Sequence, residues 1–314
     1  MSEAAPAPAT KRLGLRVDVD THDGMRDGVP HLLDAFREAG VKGTFYLSMG
    51  PDHSGRAIFN LLRPGFLAKM RRTGAARVYG WRTVLSGTLL PARMIALALP
   101  ELARRVRAEV HEAGVHAWDH RTWQDRLDRF SERQVTEHLQ RARNAFIEIF
   151  GEPPRTFAAP AWLGDERALL VEESYALDYA SDCRGAEPFL PVVRGTTLAT
   201  PQVPTTLPTL DEALGDTHTE ARAFFASMLD AAASAAWPVL TVHAELEGGP
   251  YAAELRWFLE RASERSIRPV PLGELLAARR ATGIPLPQRP MGYGAVPGRH
   301  GRLFMPADPR QAEG

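Results

Sequence analysis

The stretch Leu13–Asp20, L-G-L-R-V-D-V-D, is a strand-like run of apolar residues that ends in two acids. Side chains alternate between the two faces of a β-strand, so Asp18 and Asp20 share one face if the strand continues to its last residue. Two carboxylates on one face are costly unless a cation or a shared proton lies between them. A metal site is one interpretation of this pair, and a turn or helix-cap role for Asp20 is the other.

Strand and helix patterns alternate along the chain on both sides of this stretch. Short β-branched or apolar runs predict strands, and apolar residues at helical spacing with Gly or Pro stops predict helices. The later strands are predicted at 42–48, 115–118, 155–160, 179–182, 239–244 and 267–270, and the helices at 29–39, 101–113, 131–150, 165–176, 219–235, 252–264 and 272–281. This order predicts an α/β fold, a distorted (β/α) barrel of about seven parallel strands over 12–282.

Composition excludes several classes of protein. The 314 residues include 38 Lys or Arg and 38 Asp or Glu, so the net charge is zero and nucleic acid is not an expected partner. The single cysteine, Cys183, excludes an internal disulfide and a Cys-rich zinc module. No secretory signal is predicted at the N-terminus. Residues 1–11 are expected to be a flexible N-terminus and 283–314 an irregular C-terminal tail.

Residues 52–100 differ in charge from the rest of the chain, because they contain eight Lys or Arg residues and one acid, Asp52. Apolar and aromatic residues lie between the cations, and no run approaches the roughly 20 uncharged residues of a membrane-spanning helix. This basic amphipathic insert predicts peripheral contact with an anionic membrane surface; helices packed on the barrel with arginines in water are the alternative. The predicted membrane or lipid-phosphate contacts are Arg63, Lys69, Arg71, Arg72, Arg77, Tyr79 and Trp81.

Histidines follow two other predicted strands. His116 and His120 in H-A-W-D-H are four residues apart, and imidazoles at this spacing on a helical turn can share a metal ion. The spacing alone is a weak signal, since ten histidines make one such pair unremarkable by chance. His243 ends the apolar run V-L-T-V-H, where a hydrogen-bonded core histidine is the favoured interpretation of this residue taken alone.

The position of these residues is more informative than their spacing. Trp162, Asp182 and Arg184 also follow predicted strands. Polar or aromatic groups on several loops at one end of the strands are the arrangement of a barrel enzyme. A His-His-Asp set leaves metal coordination positions open, and a further carboxylate and histidine can act as base and acid. The pattern therefore predicts hydrolysis of an amide or ester.

The motifs D-V-D-T, H-A-W-D-H, A-A-P-A-W, S-D-C-R-G and L-T-V-H, in this order, resemble the polysaccharide deacetylase (NodB homology) superfamily over about 12–282. Within it, G-P-D-H-S-G-R, V-Y-G-W, V-P-T-T-L-P-T and H-A-E-L-E-G resemble the deformylases of 4-deoxy-4-formamido-L-arabinose linked to undecaprenyl phosphate. The resemblance implies that Asp18 is the general base, that Asp20, His116 and His120 hold one divalent metal ion, and that His243 is the general acid.

The same resemblance implies a substrate and a location. The substrate would be the undecaprenyl-phosphate-linked formamido sugar, in the pathway that modifies lipid A and confers polymyxin resistance. The enzyme would lie peripherally on the cytoplasmic side of the inner membrane, with no protein partner predicted. Zinc is the favoured metal, and manganese, cobalt and nickel are alternatives. Trp162, Asp182, Arg184 and Glu245 would contact the substrate.

One position departs from the superfamily pattern. An arginine usually opens the third motif and orients the base, but Ala158 occupies that position here. Arg184 and Arg16 are the two candidates to supply the missing charge.

Three other functions remain open from the sequence. One is an N-deacetylase of another amino-sugar or polysaccharide substrate, and another is a non-catalytic, membrane-associated sugar-lipid binding protein. The third, Cys183 as a nucleophile, is disfavoured because the adjacent Asp182 would raise the pKa of the thiol.

Overall fold

The computed structural model describes residues 10–56, 86–88, 91–216, 221–297 and 301–307. Its centre is a sheet of seven parallel strands in the order β5-β4-β3-β2-β1-β8, with β9 also paired to β1. The strands are β1 Lys11–Val19, β2 Thr44–Ser48, β3 Glu112–Ala117, β4 Thr156–Phe157, β5 Tyr179–Ala180, β6 Leu190–Val193, β7 Thr196–Thr197, β8 Val239–His243, β9 Ile267–Val270, β10 Gln288–Gly294 and β11 Leu303–Pro306. The predicted (β/α) barrel of parallel strands is confirmed as a curled, half-barrel sheet.

Helices connect the parallel strands, as the alternating pattern predicts. They are α1 Val29–Ala39, α2 Pro100–Ala108, α3 His120–Arg126, α4 Glu132–Phe150, α5 Glu166–Glu173, α6 Leu210–Asp216, α7 Ala221–Ser234, α8 Ala252–Glu264 and α9 Leu272–Arg280. Local signals fix several ends: Ser131 and Gln134 form the capping box of α4, and Gly151 ends that helix at φ 76°.

The two faces of the central strand β1 carry different kinds of side chain. Leu13, Leu15, Val17 and Val19 are fully buried in the main hydrophobic core. Their removal from water is the main favourable contribution to the stability of this layer. The alternate residues Arg16 and Asp18 point to the opposite face, so the same strand supplies both core and polar side chains.

The C-terminal segment contains two strands where an irregular tail was expected. β10 pairs with β6 in parallel and β11 pairs with β10, giving a second sheet in the order β11-β10-β6-β7. Phe304 is buried with Leu169, Val193 and Leu198. These partners are about a hundred positions away in sequence, and Gly and Pro interrupt the local pattern, so periodicity alone does not reveal the strands.

Two predictions concern segments outside the described residues. The predicted flexible N-terminus falls almost entirely on residues 1–9, which are not described, and Lys11 already belongs to β1. The seven predicted membrane contacts, Arg63, Lys69, Arg71, Arg72, Arg77, Tyr79 and Trp81, also lie outside the described residues. Among the helices of the described part, none is long and apolar enough to cross a membrane.

Candidate metal centre

Three predicted ligands meet at the carboxyl end of the parallel sheet. Asp20 directly follows β1, His116 lies in β3 and His120 begins α3, and their ligand atoms all lie within 4.8 Å of one another. The two oxygens of Asp20 are each 3.2 Å from an Nε2 atom, one of His116 and one of His120. The arrangement is a candidate site for one metal ion.

Backbone contacts prepare His116 and His120 for this role. The Nδ1 atom of His116 donates a hydrogen bond to the carbonyl of Ala158 at 2.7 Å, so Nε2 is the ring nitrogen that is available to bind a cation. Asp119 caps α3 by accepting from the backbone N–H of Thr122, and this fixes the start of the helix on which His120 lies. Burial lowers the pKa of His120 to about 4, so its imidazole is neutral.

Arg16 and Asp18 form a buried ion pair beside these ligands. Nε of Arg16 donates to Oδ1 of Asp18 at 2.7 Å, and Nη2 donates to Oδ2 at 2.8 Å. Burial alone would raise the pKa of Asp18, but the charges of Arg16 and of nearby histidines outweigh it and hold the pKa below its usual value. Of the two candidate arginines, Arg16 contacts Asp18, whereas Arg184 contacts Glu212 and Leu207.

The guanidinium of Arg16 is itself held in place. Its Nη1 donates to the carbonyl of Ser181 at 2.5 Å, and its Cζ atom lies 5.0 Å from the centroid of the Tyr46 ring and 5.3 Å from that of Trp162. Trp162 is 2% exposed, and both Ala161 and Trp162 have left-handed backbone conformations. Strain of this kind is common where a side chain must be held at a site.

His243 ends β8, the strand that pairs with β1 beside Asp18. The register of β1 and β8 pairs Asp18 with His243, so both side chains emerge at the same level of the sheet. Burial lowers the pKa of His243, but the carboxylates of Asp211, Asp20, Asp18 and Glu247 outweigh this and raise it to about 9. An imidazolium is the form that can donate a proton.

Asp211 was not predicted from the sequence. Its Oδ1 lies 3.9 Å from Nδ1 of His243, and it accepts a hydrogen bond from the hydroxyl of Thr209 at 2.5 Å. The stretch T-L-D-E at 209–212 carries a capping-box pattern, and the backbone N–H of Thr209 donates to Glu212. This signal could have placed Asp211 in the first turn of a helix.

The four predicted substrate contacts have different surroundings. Asp182 accepts from the backbone N–H of Ala159 at 2.8 Å and from Gln202 at 2.7 Å, so it shapes the loop that holds His116. Arg184 pairs with Glu212 at 3.1 Å and donates to the carbonyl of Leu207, which ties it to the segment before Asp211.

Trp162 and Glu245 complete this set. The indole N–H of Trp162 donates to the hydroxyl of Thr205 at 3.1 Å. Glu245 has a buried Oε2 atom with no hydrogen-bond partner among the described residues. Burial first, and the charge of Asp20 second, raise the pKa of Glu245 well above its usual value. The structure thus brings Asp18, Asp20, His116, His120 and His243 together and places Glu245 beside Asp20.

A curled parallel sheet with paired acids and histidines at its carboxyl end defines a hydrolase of the carbohydrate esterase type. The sequence pattern of the polysaccharide deacetylase family matches residues 10–180, and the chain belongs to that family. It is an amidohydrolase of the deacetylase and deformylase class, as the order of its motifs predicts.

Two curated relatives narrow the comparison. A protein of Shewanella sediminis (strain HAW-EB3), named "Probable 4-deoxy-4-formamido-L-arabinose-phosphoundecaprenol deformylase ArnD", is 35% identical over 265 residues, 84% of this chain and 86% of that protein. A protein of Wigglesworthia glossinidia brevipalpis with the same name is 31% identical over 281 residues, 88% of this chain and 96% of that protein. These similarities support a deformylase or deacetylase role.

Solved structures share the fold. A crystal structure from Mycobacterium smegmatis assigned to the polysaccharide deacetylases has a TM-score of 0.60 at 19% identity, covering 91% of this chain and 95% of that one. The PuuE allantoinase has a TM-score of 0.59 at 17% identity, covering 87% of this chain and 92% of that one. At these identities the likeness concerns the fold alone.

Proposed function

We propose that this protein removes the N-formyl group from 4-deoxy-4-formamido-L-arabinose linked to undecaprenyl phosphate. The products are formate and the 4-amino-4-deoxy-L-arabinose lipid used to modify lipid A in polymyxin resistance. The names of the two curated relatives support this substrate. The observation that carries the chemistry is the placement of Asp18 and His243 on neighbouring strands beside Asp20, His116 and His120.

The residues present fit a divalent metal ion. Oδ1 of Asp20 and Nε2 of His116 are buried and have no hydrogen-bond partner among the described residues, which is costly unless a cation satisfies them. Two imidazole nitrogens and one carboxylate suit zinc, with manganese, cobalt and nickel as alternatives. When bound, such an ion supplies Lewis acidity toward a carbonyl oxygen and a water of lowered pKa.

The chain's own side chains account for the proton transfers. Asp18, held in its ionised form by Arg16, accepts a proton from the water that attacks the formyl carbon. The carbon–nitrogen bond then breaks, and His243 donates a proton to the departing amine nitrogen. The water oxygen leaves in formate, and the sugar keeps the amine.

The basic insert supports a location at a membrane. Its eight Lys or Arg residues outnumber its one acid, and the proposed substrate carries an anionic phosphate and a long apolar chain. Contact between this insert and an anionic surface would hold the enzyme peripherally at the cytoplasmic face of the inner membrane. Nucleic acid and protein partners are not part of this proposal.

The test is release of formate from the synthetic lipid-linked formamido sugar by the zinc-loaded protein. An N-acetyl analogue and chito-oligosaccharides are assayed beside it. Formate release that requires the metal supports the proposal. Release of acetate with no formate would instead establish the N-deacetylase alternative, and inactivity of fully metal-loaded protein on every substrate would favour a binding protein.

A further inference from the structure

A cavity of about 900 Å³ is lined by none of the residues assigned to the reaction. It is bounded by the loop 184–189, the segment 205–208, helices α6 and α7, and the ends of β10 and β11. Phe189, Phe224 and Met228 are buried and form part of its lining. Its volume is in the upper part of the range for small-molecule sites, which are mostly apolar.

The charged groups of the cavity wall neutralise one another. Arg184 pairs with Glu212 at 3.1 Å, and Arg289 pairs with Glu187 at 2.8 Å. The described lining contains these two arginines and two glutamates as its charged residues, so its formal charge sums to zero. An anion would find both arginines already engaged, whereas an uncharged apolar chain would displace no ion pair.

One hydrogen bond and one pair of consecutive residues link the cavity wall to the surroundings of His243. The hydroxyl of Thr205, in the cavity wall, lies 3.0 Å from the hydroxyl of Thr241, two residues before His243 on β8. Glu212, also in the wall, directly follows Asp211, whose Oδ1 is 3.9 Å from His243. One wall of the cavity is therefore linked to the two segments that carry His243 and Asp211.

Because the candidate metal centre is buried, part of the substrate's apolar chain must be accommodated by the protein during the reaction. His116 is 2% exposed, so the formamido sugar must leave the bilayer surface and enter the protein to react. The phosphate and the first isoprene units follow it, and apolar carbon drawn out of a bilayer into water loses its favourable environment in proportion to its area. Met228 and Met305 offer flexible thioether side chains that adapt to a branched chain.

We infer that this cavity binds the first isoprene units of the polyprenyl chain of the substrate, an inference that rests on the proposed function. The cavity is expected to bind the isoprenoid chain and not the phosphate, because its wall is mostly apolar and its two arginines are paired with glutamates. The remainder of the chain stays in the bilayer.

Binding is tested with farnesyl phosphate and the zinc-loaded, full-length protein by titration calorimetry. Ser227→Trp and Ala186→Trp fill the cavity from exposed positions on two different walls, and Ala233→Trp, exposed on the same helix α7, is the matched control. We expect farnesyl phosphate to bind, both filling variants to weaken it about tenfold or more, and the control to leave it unchanged. Equal binding by all four proteins, or equal affinity for inorganic phosphate and farnesyl phosphate, would overturn the inference.

Turnover separates this inference from the proposed function. The formamido sugar phosphate is supplied with a farnesyl group or with a methyl group in its place. We expect the filling variants to lose about tenfold in kcat/KM for the farnesyl substrate and to match the wild type on the methyl substrate. No formate from either substrate with wild-type protein would reject the proposed function, and calorimetry would still decide on the cavity. Equal kcat/KM for both substrates in every variant would reject the cavity alone.

Discussion

Arg16 and Asp18, two residues apart on the same face of β1, form a buried bidentate ion pair with distances of 2.7 and 2.8 Å. The pair occupies both oxygens of Asp18, while the oxygens of Asp20 face the two histidines. The two neighbouring acids therefore have different surroundings. Arg16 stabilises the ionised form of Asp18, whereas the carboxylate of Asp20 is available to a cation.

Substitution of Arg16 should affect activity and stability together. In Arg16→Gln, Asp18 keeps its position in the strand but loses its fixed orientation and its counter-charge. We expect kcat to fall by about 10²-fold or more, and unfolding free energy to fall by about 3–5 kcal/mol, since one member of a buried pair is left alone. Formate release, metal content and urea unfolding are measured, with Arg133→Gln on the exposed face of α4 as the control. Full activity in Arg16→Gln would contradict the orienting role.

Asparagine at positions 18 and 20 should separate the two acids. Asp18→Asn removes a base and no metal ligand, so we expect metal content to be retained and kcat to fall about 10²–10⁴-fold. Asp20→Asn removes the carboxylate that faces His116 and His120, so metal should be lost. Metal content is measured by mass spectrometry beside formate release. Loss of metal in Asp18→Asn with retention in Asp20→Asn would exchange the two assignments.

Asp211 should support the acid and not the metal. Its carboxylate is one of the charges that keep His243 protonated, so Asp211→Asn weakens proton donation to the amine. We expect kcat to fall about tenfold with KM and metal content unchanged. Asp230→Asn, an exposed acid on α7, is the control. A change in KM with kcat preserved would assign Asp211 to substrate binding.

The parts of the fold and of the site that the sequence predicts come from local patterns. The acids at 18 and 20 are placed by strand alternation, and the capping box at Ser131 with Gly151 gives the bounds of α4. Parallel strands bring their carboxyl ends to one edge, which is why His116 and His243 could be expected near the acids although they are far apart in sequence.

The parts that could not be predicted depend on contacts between distant segments. Arg16 and Arg184 are equally close to motifs in the sequence, and only the packing of Trp162 and Ser181 directs Arg16 to Asp18. The pairing of Gln288 with Leu190 likewise has no local signal.

The basic insert should bind anionic membranes through its cations. Replacement of Arg71 and Arg72 by Ala removes two charges, each expected to contribute about 1 kcal/mol near an anionic surface. Partitioning onto phosphatidylglycerol vesicles should therefore fall by about 30-fold at low salt, and added salt should weaken the wild type. The charge-matched control is the double variant Arg129→Ala with Arg133→Ala, because both arginines are exposed and lie outside the insert. Equal loss in both double variants would indicate a non-specific charge effect.

Two buried histidines that are not among the proposed metal ligands should make the fold sensitive to acid. Nε2 of His138 accepts from the backbone N–H of Asp119, and Nδ1 of His111 accepts from that of Gly43, both at 3.2 Å. Burial lowers the pKa of each to about 4, against about 6.5 in the unfolded chain. Between these values the unfolded chain binds more protons than the folded one, so the free energy of unfolding falls as pH falls, by at most about 1.4 kcal/mol per pH unit for each histidine.

The double variant His111→Asn with His138→Gln keeps an acceptor oxygen near each ring nitrogen's position and removes the titration. Urea unfolding at pH 7, 6 and 5 should show a smaller loss of stability in this variant than in the wild type, because neither side chain takes up a proton in the unfolded chain. His31→Gln, an exposed position, is the control. Parallel pH dependence in the double variant and the wild type would show that other groups, and not these two histidines, govern acid unfolding.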